Sequence, residues 1–132
     1  MYRLLPLLLL PLLSRPTVAL AEAPRIEVAF VLDATGSMGP WINEARARIK
    51  DIAADLATGE PAPKVRYALV SYRDKGDAYV SKAHPFSADV DAMRAALDGT
   101  RAQGGGDTPE AVLEALSMAI HELDWSEDGQ TL

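Results

Sequence analysis

Asp33, Thr35 and Ser37 stand at alternate positions of the segment Asp33-Ala34-Thr35-Gly36-Ser37-Met38, directly after the apolar run Ile26-Glu27-Val28-Ala29-Phe30-Val31-Leu32. One carboxylate and two hydroxyls therefore leave the end of an expected buried strand, where open α/β sheets keep their ligand sites. A small hard dication takes oxygen ligands in near-octahedral order and keeps some of its waters, and oxygens at this spacing can converge from one tight loop. Gly36 lets the backbone turn without a side chain in the way. The same residue types also suit a plain strand-to-helix turn with Ser37 as a cap.

Two enzyme motifs come close. Aspartic proteases use an uninterrupted Asp-Thr-Gly, whereas Ala34 here separates the Asp from the Thr. Phosphotransferases of the Asp-Lys-Thr-Gly-Thr kind use the Asp as phosphoryl acceptor and the Lys to hold phosphate charge, and here Ala34 takes the place of that Lys. A phosphotransfer enzyme with Asp33 as nucleophile is the alternative reading, and it lacks the Lys and a further acidic pair downstream.

The elements that must position this loop follow from periodicity. Pro40 suits an opening helical turn, and Ile42, Ala45, Ile49, Ile52 and Leu56 recur at helical spacing, with a charged opposite face that ends at Thr58-Gly59-Glu60-Pro61-Ala62-Pro63. Residues Val65 to Tyr72 read as a strand, and Lys75-Gly76-Asp77 as a turn into a shorter polar strand within Ala78 to Phe86. A helix from Ser87 turns Val90, Met93 and Leu97 inward and closes at Asp98-Gly99. Thr100 to Gly106 is glycine-rich but has no Lys followed by Ser or Thr, so it is not a P-loop. Pro109 and Glu110 suit the first turn of a last helix, with Val112, Leu116, Ala119, Ile120 and Leu123 as its apolar face. His84 and His121 have no second His or Cys at ligand spacing and read as structural or surface groups.

Asp-x-Thr-Gly-Ser-Met after an apolar strand is similar to the first metal-binding motif of von Willebrand factor type A (vWA) domains, whose usual form is Asp-x-Ser-x-Ser. The resemblance runs from about Arg25 onward and takes in the Tyr72-Arg73-Asp74 strand exit and the run Gly104-Gly105-Gly106-Asp107-Thr108-Pro109-Glu110. It implies an α/β fold, a Rossmann-like doubly wound sheet of which the first half to two-thirds is present. The further buried strand whose exit loop carries the family's last metal-site Asp is expected to be missing, as in a truncated product.

The resemblance also implies a metal-ion-dependent adhesion site (MIDAS) for Mg²⁺ or Mn²⁺, with Asp33, Thr35 and Ser37 from the first loop. Most members bring a Thr from the second loop. A gap-free match sets Gly106 at that Thr, which makes Asp107 the first choice as ligand or water holder and Thr108 the second; either could instead only cap the following helix. A second carboxylate from Asp107 would weaken the metal's pull on an outside acidic group. Asp74 reads as a turn residue, or as a contact for a partner or a second cation. The implied role is a binding module and not an enzyme, one that engages an acidic residue of a protein partner through the metal. A regulatory module within a larger assembly is a further variant of the same resemblance.

Composition bounds the rest. The 132 residues are 48% hydrophobic and 24% charged, with a net charge of −6 and no Cys. One ordinary domain fits. Arg3, the Leu-rich stretch Leu4 to Leu13 and the small residues Ala19, Ala21 and Ala23 read as a secretory signal over residues 1–21, with cleavage after Ala21 or Ala23. The stretch is short and broken by Pro6 and Pro11, so no stable membrane span is expected once it is removed. Removal leaves 11 basic against 19 acidic residues, a charge of −8 that argues against nucleic acid as a partner. A periplasmic or secreted product is the expectation, with residues 22–132 as the vWA-like domain.

Overall fold

The computed structural model describes residues 22–106, 111–129 and 131. Its elements are β1 (Arg25–Asp33), α1 (Ile42–Leu56), β2 (Lys64–Tyr72), β3 (Ser81–Ser87), α2 (Val90–Gly99) and α3 (Val112–His121), with a short 3₁₀ turn at Gly36–Met38 between β1 and α1. β1 pairs in parallel with β2, and β2 pairs antiparallel with β3, in the order β1-β2-β3. The α/β expectation is thus met, with a mixed three-strand sheet among the described residues.

The sheet is covered on both faces because β2 alternates between two apolar sets. Tyr67 and Leu69 meet Leu32, Ile42, Ile49, Ala53, Met93 and Leu97, which places α1 and α2 on one side. Ala68 and Val70 meet Ala115, Ala119 and Leu123, which places α3 on the other. The Tyr67 hydroxyl, carried into the first layer, donates to the Ala53 carbonyl at 2.6 Å, so the ring is both packed and satisfied.

Several expected details are corrected by this packing. In α1 the fully covered small residue is Ala53, whereas Ile52 is exposed. The hairpin strand starts at Ser81, and Ser87 is its last residue rather than a helix start. α2 is opened by Asp89, whose carboxylate accepts from the backbone N–H of Asp91 and Ala92. In α3 the buried face is Ala111, Ala115, Ala119 and Leu123, while Val112, Leu116 and Ile120 are exposed. A helix set close against a sheet seats alanines there, and the larger apolar side chains fall outside the contact.

The chain after α3 returns to the start of the sheet. Glu27, buried on β1, forms an ion pair with Arg66 at 3.1 Å and accepts from the backbone N–H and hydroxyl of Ser126 at 2.8 and 2.7 Å. Trp125 packs edge-on against Phe86 and donates its indole N–H to the Ala119 carbonyl. An isolated parallel bridge then joins Thr131 to Arg25, on the edge of β1 away from β2.

No helix among the described residues is long and apolar enough to cross a membrane. Residues 1–21, expected as a secretory signal, lie outside the described residues.

Candidate functional site

Because β1 and β2 are parallel and in register from Arg25/Lys64 to Asp33/Tyr72, their C-terminal ends coincide. The loops that leave them, 33–38 and 73–80, are therefore neighbours, and the glycine-rich segment 101–106 is drawn in beside both. Backbone bonds tie the three together: Ala34 N–H to the Tyr72 carbonyl at 2.9 Å, Gln103 N–H to the Ala34 carbonyl at 3.0 Å, and Gly36 N–H to the Gly104 carbonyl at 3.0 Å.

Within the first loop the predicted oxygens do converge. Asp33 Oδ1 accepts from both the backbone N–H and the hydroxyl of Thr35, each at 2.8 Å. Thr35 Oγ1 and Ser37 Oγ lie 3.0 Å apart. Since the Thr35 hydrogen is used on Asp33, the Ser37 hydroxyl donates to Thr35, which makes a chain of three oxygens. Thr35 is buried and Ser37 exposed, so the chain runs from the interior to the surface. Ser37 makes no capping bond: the 3₁₀ turn has no side-chain cap, and α1 begins after Trp41 without one.

Two glycines are required by close approach. A Cβ on Gly36 would lie 2.4 Å from the Gly104 carbonyl oxygen. Gly104 has φ +72°, and a Cβ there would fall 2.3 Å from both carboxylate oxygens of Asp77.

Asp74 is far more than an exposed turn residue. It is 4% exposed; one carboxylate oxygen accepts from Gly106 N–H at 2.8 Å, and the other, Oδ1, is buried without a hydrogen-bond partner. Asp77 accepts from Gly105 N–H at 3.1 Å and from Asp74 N–H at 3.2 Å. Two acidic side chains of the β2–β3 connection thus clasp the glycine segment by its backbone. The local signal was the Asp-x-x-Asp spacing around Gly76, which reads equally well as turn chemistry.

The second-loop candidates, Asp107 and Thr108, lie outside the described residues. What flanks them is placed: Gly106 on Asp74, and Ala111, whose N–H donates to the Arg73 carbonyl at 3.2 Å. Both ends of that segment are therefore held at the exit of β2. His121 is exposed and His84 half-buried, and no group of three or more His, Cys, Asp or Glu side chains able to hold a metal occurs among the described residues.

The donor set gathered here is hard oxygen throughout, one carboxylate and two hydroxyls, with the uncompensated Asp74 Oδ1 buried nearby; a Cβ on Gly105 would lie 3.6 Å from Asp74 Oδ2 and 3.8 Å from Thr35 Cβ. Such a set fits Mg²⁺ or Mn²⁺ better than a thiophilic metal.

Residues 27–127 match the von Willebrand factor A domain family. The chain belongs to that family. It is 37% identical over 97 residues to human von Willebrand factor A domain-containing protein 7 and 38% identical to the mouse protein, in each case covering 74% of this chain and 10% of the relative. The chain thus spans about a tenth of the length of these relatives. Among solved structures, an uncharacterized protein from Alicyclobacillus acidocaldarius is similar with a TM-score of 0.57 at 24% identity, covering 74% of this chain and 39% of that one. The pilus adhesin SpaC from Lactobacillus rhamnosus GG is similar with a TM-score of 0.59 at 18% identity, covering 84% and 14%. These likenesses agree with the vWA fold.

Proposed function

We propose that this vWA domain is an exported protein-binding module with a MIDAS-like Mg²⁺ or Mn²⁺ site, and that it is not an enzyme. The observation that carries the reading is the oxygen chain Asp33–Thr35–Ser37 at the exit of β1, reaching the surface beside the buried and half-satisfied carboxylate of Asp74.

Asp33, Thr35 and Ser37 would hold the ion from the first loop, with Asp107 or Thr108 from the second. The bound dication would supply an electrophilic position for the carboxylate of an acidic residue on a protein partner. The chain's own residues prepare that position. Ser37 lies at the surface, where a partner can reach it, and Thr35 behind it is fixed by its two bonds to Asp33. The Asp74 and Asp77 clasp holds the glycine segment against the first loop, so that the second-loop residues start from a fixed point.

Calorimetric titration with MgCl₂ and MnCl₂ tests the site. Asp33→Ala should abolish millimolar binding, because it removes the carboxylate of the first loop, and Ser37→Ala should weaken it less, because it removes one neutral oxygen. Unchanged binding in Asp33→Ala would refute the assignment. Incubation with acetyl phosphate and Mg²⁺ should leave Asp33 unmodified, whereas an acyl-phosphate on it would establish phosphotransfer instead. N-terminal sequencing of exported protein should give Glu22 or Pro24, and a chain beginning at Met1 would contradict export with signal cleavage.

A further inference from the structure

The residue beside Asp74 is the unusual charge of this fold. Arg73 is 7% exposed, and no acidic side chain pairs with it among the described residues. One terminal nitrogen donates to the Arg101 carbonyl at 2.9 Å and to Gln103 Oε1 at 3.4 Å, and its guanidinium carbon lies 4.5 Å from the centre of the Tyr79 ring. Its Nε is buried and donates to nothing. Leaving a buried cation without a counter-charge is costly, and 19 acidic residues were available to supply one.

Arg73 lines a cavity of about 230 Å³ between β3 and the end of α2, together with Lys82, Arg101, His84, Ser71 and Tyr79. No carboxylate lines it among the described residues. Part of the positive charge answers the carbonyl end of α2, since Arg101 donates to the Asp98 carbonyl. The Asp98 carboxylate is engaged by Lys50 at 2.8 Å. That leaves the buried Arg73 Nε, and Lys82 on the cavity wall, without acceptors among the described residues. Burial, and then the charge of Lys82, hold His84 below its usual pKa, so the imidazole stays neutral and leaves the field to the three cations.

We propose that this cavity binds a phosphate-class dianion, either inorganic phosphate or the phosphate of a small monoester. Phosphate suits it better than a single carboxylate, because several fixed cations match a charge of about −2 and the Ser71 and Tyr79 hydroxyls, bonded to each other at 3.3 Å, leave one O–H as a neutral donor. The space exceeds that of several waters at about 30 Å³ each, which is enough for a tetrahedral oxyanion and a small organic group. No residue of the 33–38 loop lines it, and it does not depend on a metal there.

The test is a titration of the ¹⁵N-labelled full chain with sodium phosphate at constant ionic strength held by chloride, with glycerol phosphate as the second arm. Saturable shifts are expected at the amides of Ser71, Lys82 and Arg101, with a dissociation constant of about 1 mM or tighter. Lys82→Glu, on an exposed position of an edge strand, should weaken binding about tenfold or more, and Arg101→Gln should weaken it as well. Tighter binding of glycerol phosphate would identify an ester as the ligand, and equal or weaker binding would identify free phosphate. Shifts reproduced by chloride alone, or unchanged affinity in both variants, would overturn the proposal.

Discussion

Gly36→Ala should destabilise the fold well beyond what its surface position suggests. A Cβ at residue 36 would sit 2.4 Å from the Gly104 carbonyl oxygen. Carbon and oxygen approach comfortably to about 3.3–3.6 Å, so roughly 1 Å must be made up by moving one loop against the other. Neither loop is free to move. Gly36 N–H donates to that same Gly104 oxygen at 3.0 Å, Ala34 is bonded on both sides to Tyr72 and Gln103, and Gly105 and Gly106 are held by Asp77 and Asp74. Losing the Gly36 bond costs about 1 kcal/mol. Forcing the backbone apart adds about 1–3 kcal/mol. The reduced freedom of the unfolded chain returns roughly 0.5 kcal/mol, leaving a net loss of about 1.5–3.5 kcal/mol. For a domain of this size that is a fall in Tm of about 5–20 °C. Urea unfolding and thermal melts read it directly. Gly99→Ala is the control, since a Cβ there meets nothing within 4 Å, and it should be neutral or slightly stabilising. A Gly36→Ala protein within about 0.5 kcal/mol of the parent would refute the reasoning that these loops form one rigid unit.

Glu27→Ala should cost about 1–3 kcal/mol, because it removes the buried partner of Arg66 and the acceptor of both Ser126 bonds, and it should speed proteolytic cutting after Trp125. Stability should also fall with acid at His84. Its folded pKa lies below the usual 6.5, so the unfolded chain takes up the proton first; the contribution is full above about pH 6.5 and is lost as pH falls from there through the folded value. His84→Gln should flatten that part of a pH series of melts. Leu69→Ala, at a fully buried position of β2, should cost about 2–5 kcal/mol in urea unfolding, toward the upper figure where the cavity cannot collapse.

What could be read from the chain alone were the features written in local patterns. The apolar runs of β1 and β2, the helical spacing of α1 and α2, the polar hairpin strand and the Asp33-Ala34-Thr35-Gly36-Ser37 loop after a strand all follow from neighbours within a few residues. So does the convergence of Asp33, Thr35 and Ser37, since a single turn of backbone brings alternate side chains together. Local patterns give a helix an apolar side but not the residues that touch the sheet. In α3 the apolar positions go most of the way round, and only contact with Ala68 and Val70 selected Ala115 and Ala119 over Val112, Leu116 and Ile120. Charge was equally silent: Glu27 looked like an intrusion in an apolar strand until Ser126, 99 residues later, and Arg66 gave it partners. Asp74 and Asp77 read as turn residues, and their role as a clasp on Gly105 and Gly106 exists because the parallel pairing of β1 with β2 brings three separate loops to one edge. Tertiary structure decided these points because a buried polar group is stable only beside its partners, and those partners are supplied by segments far away in the chain.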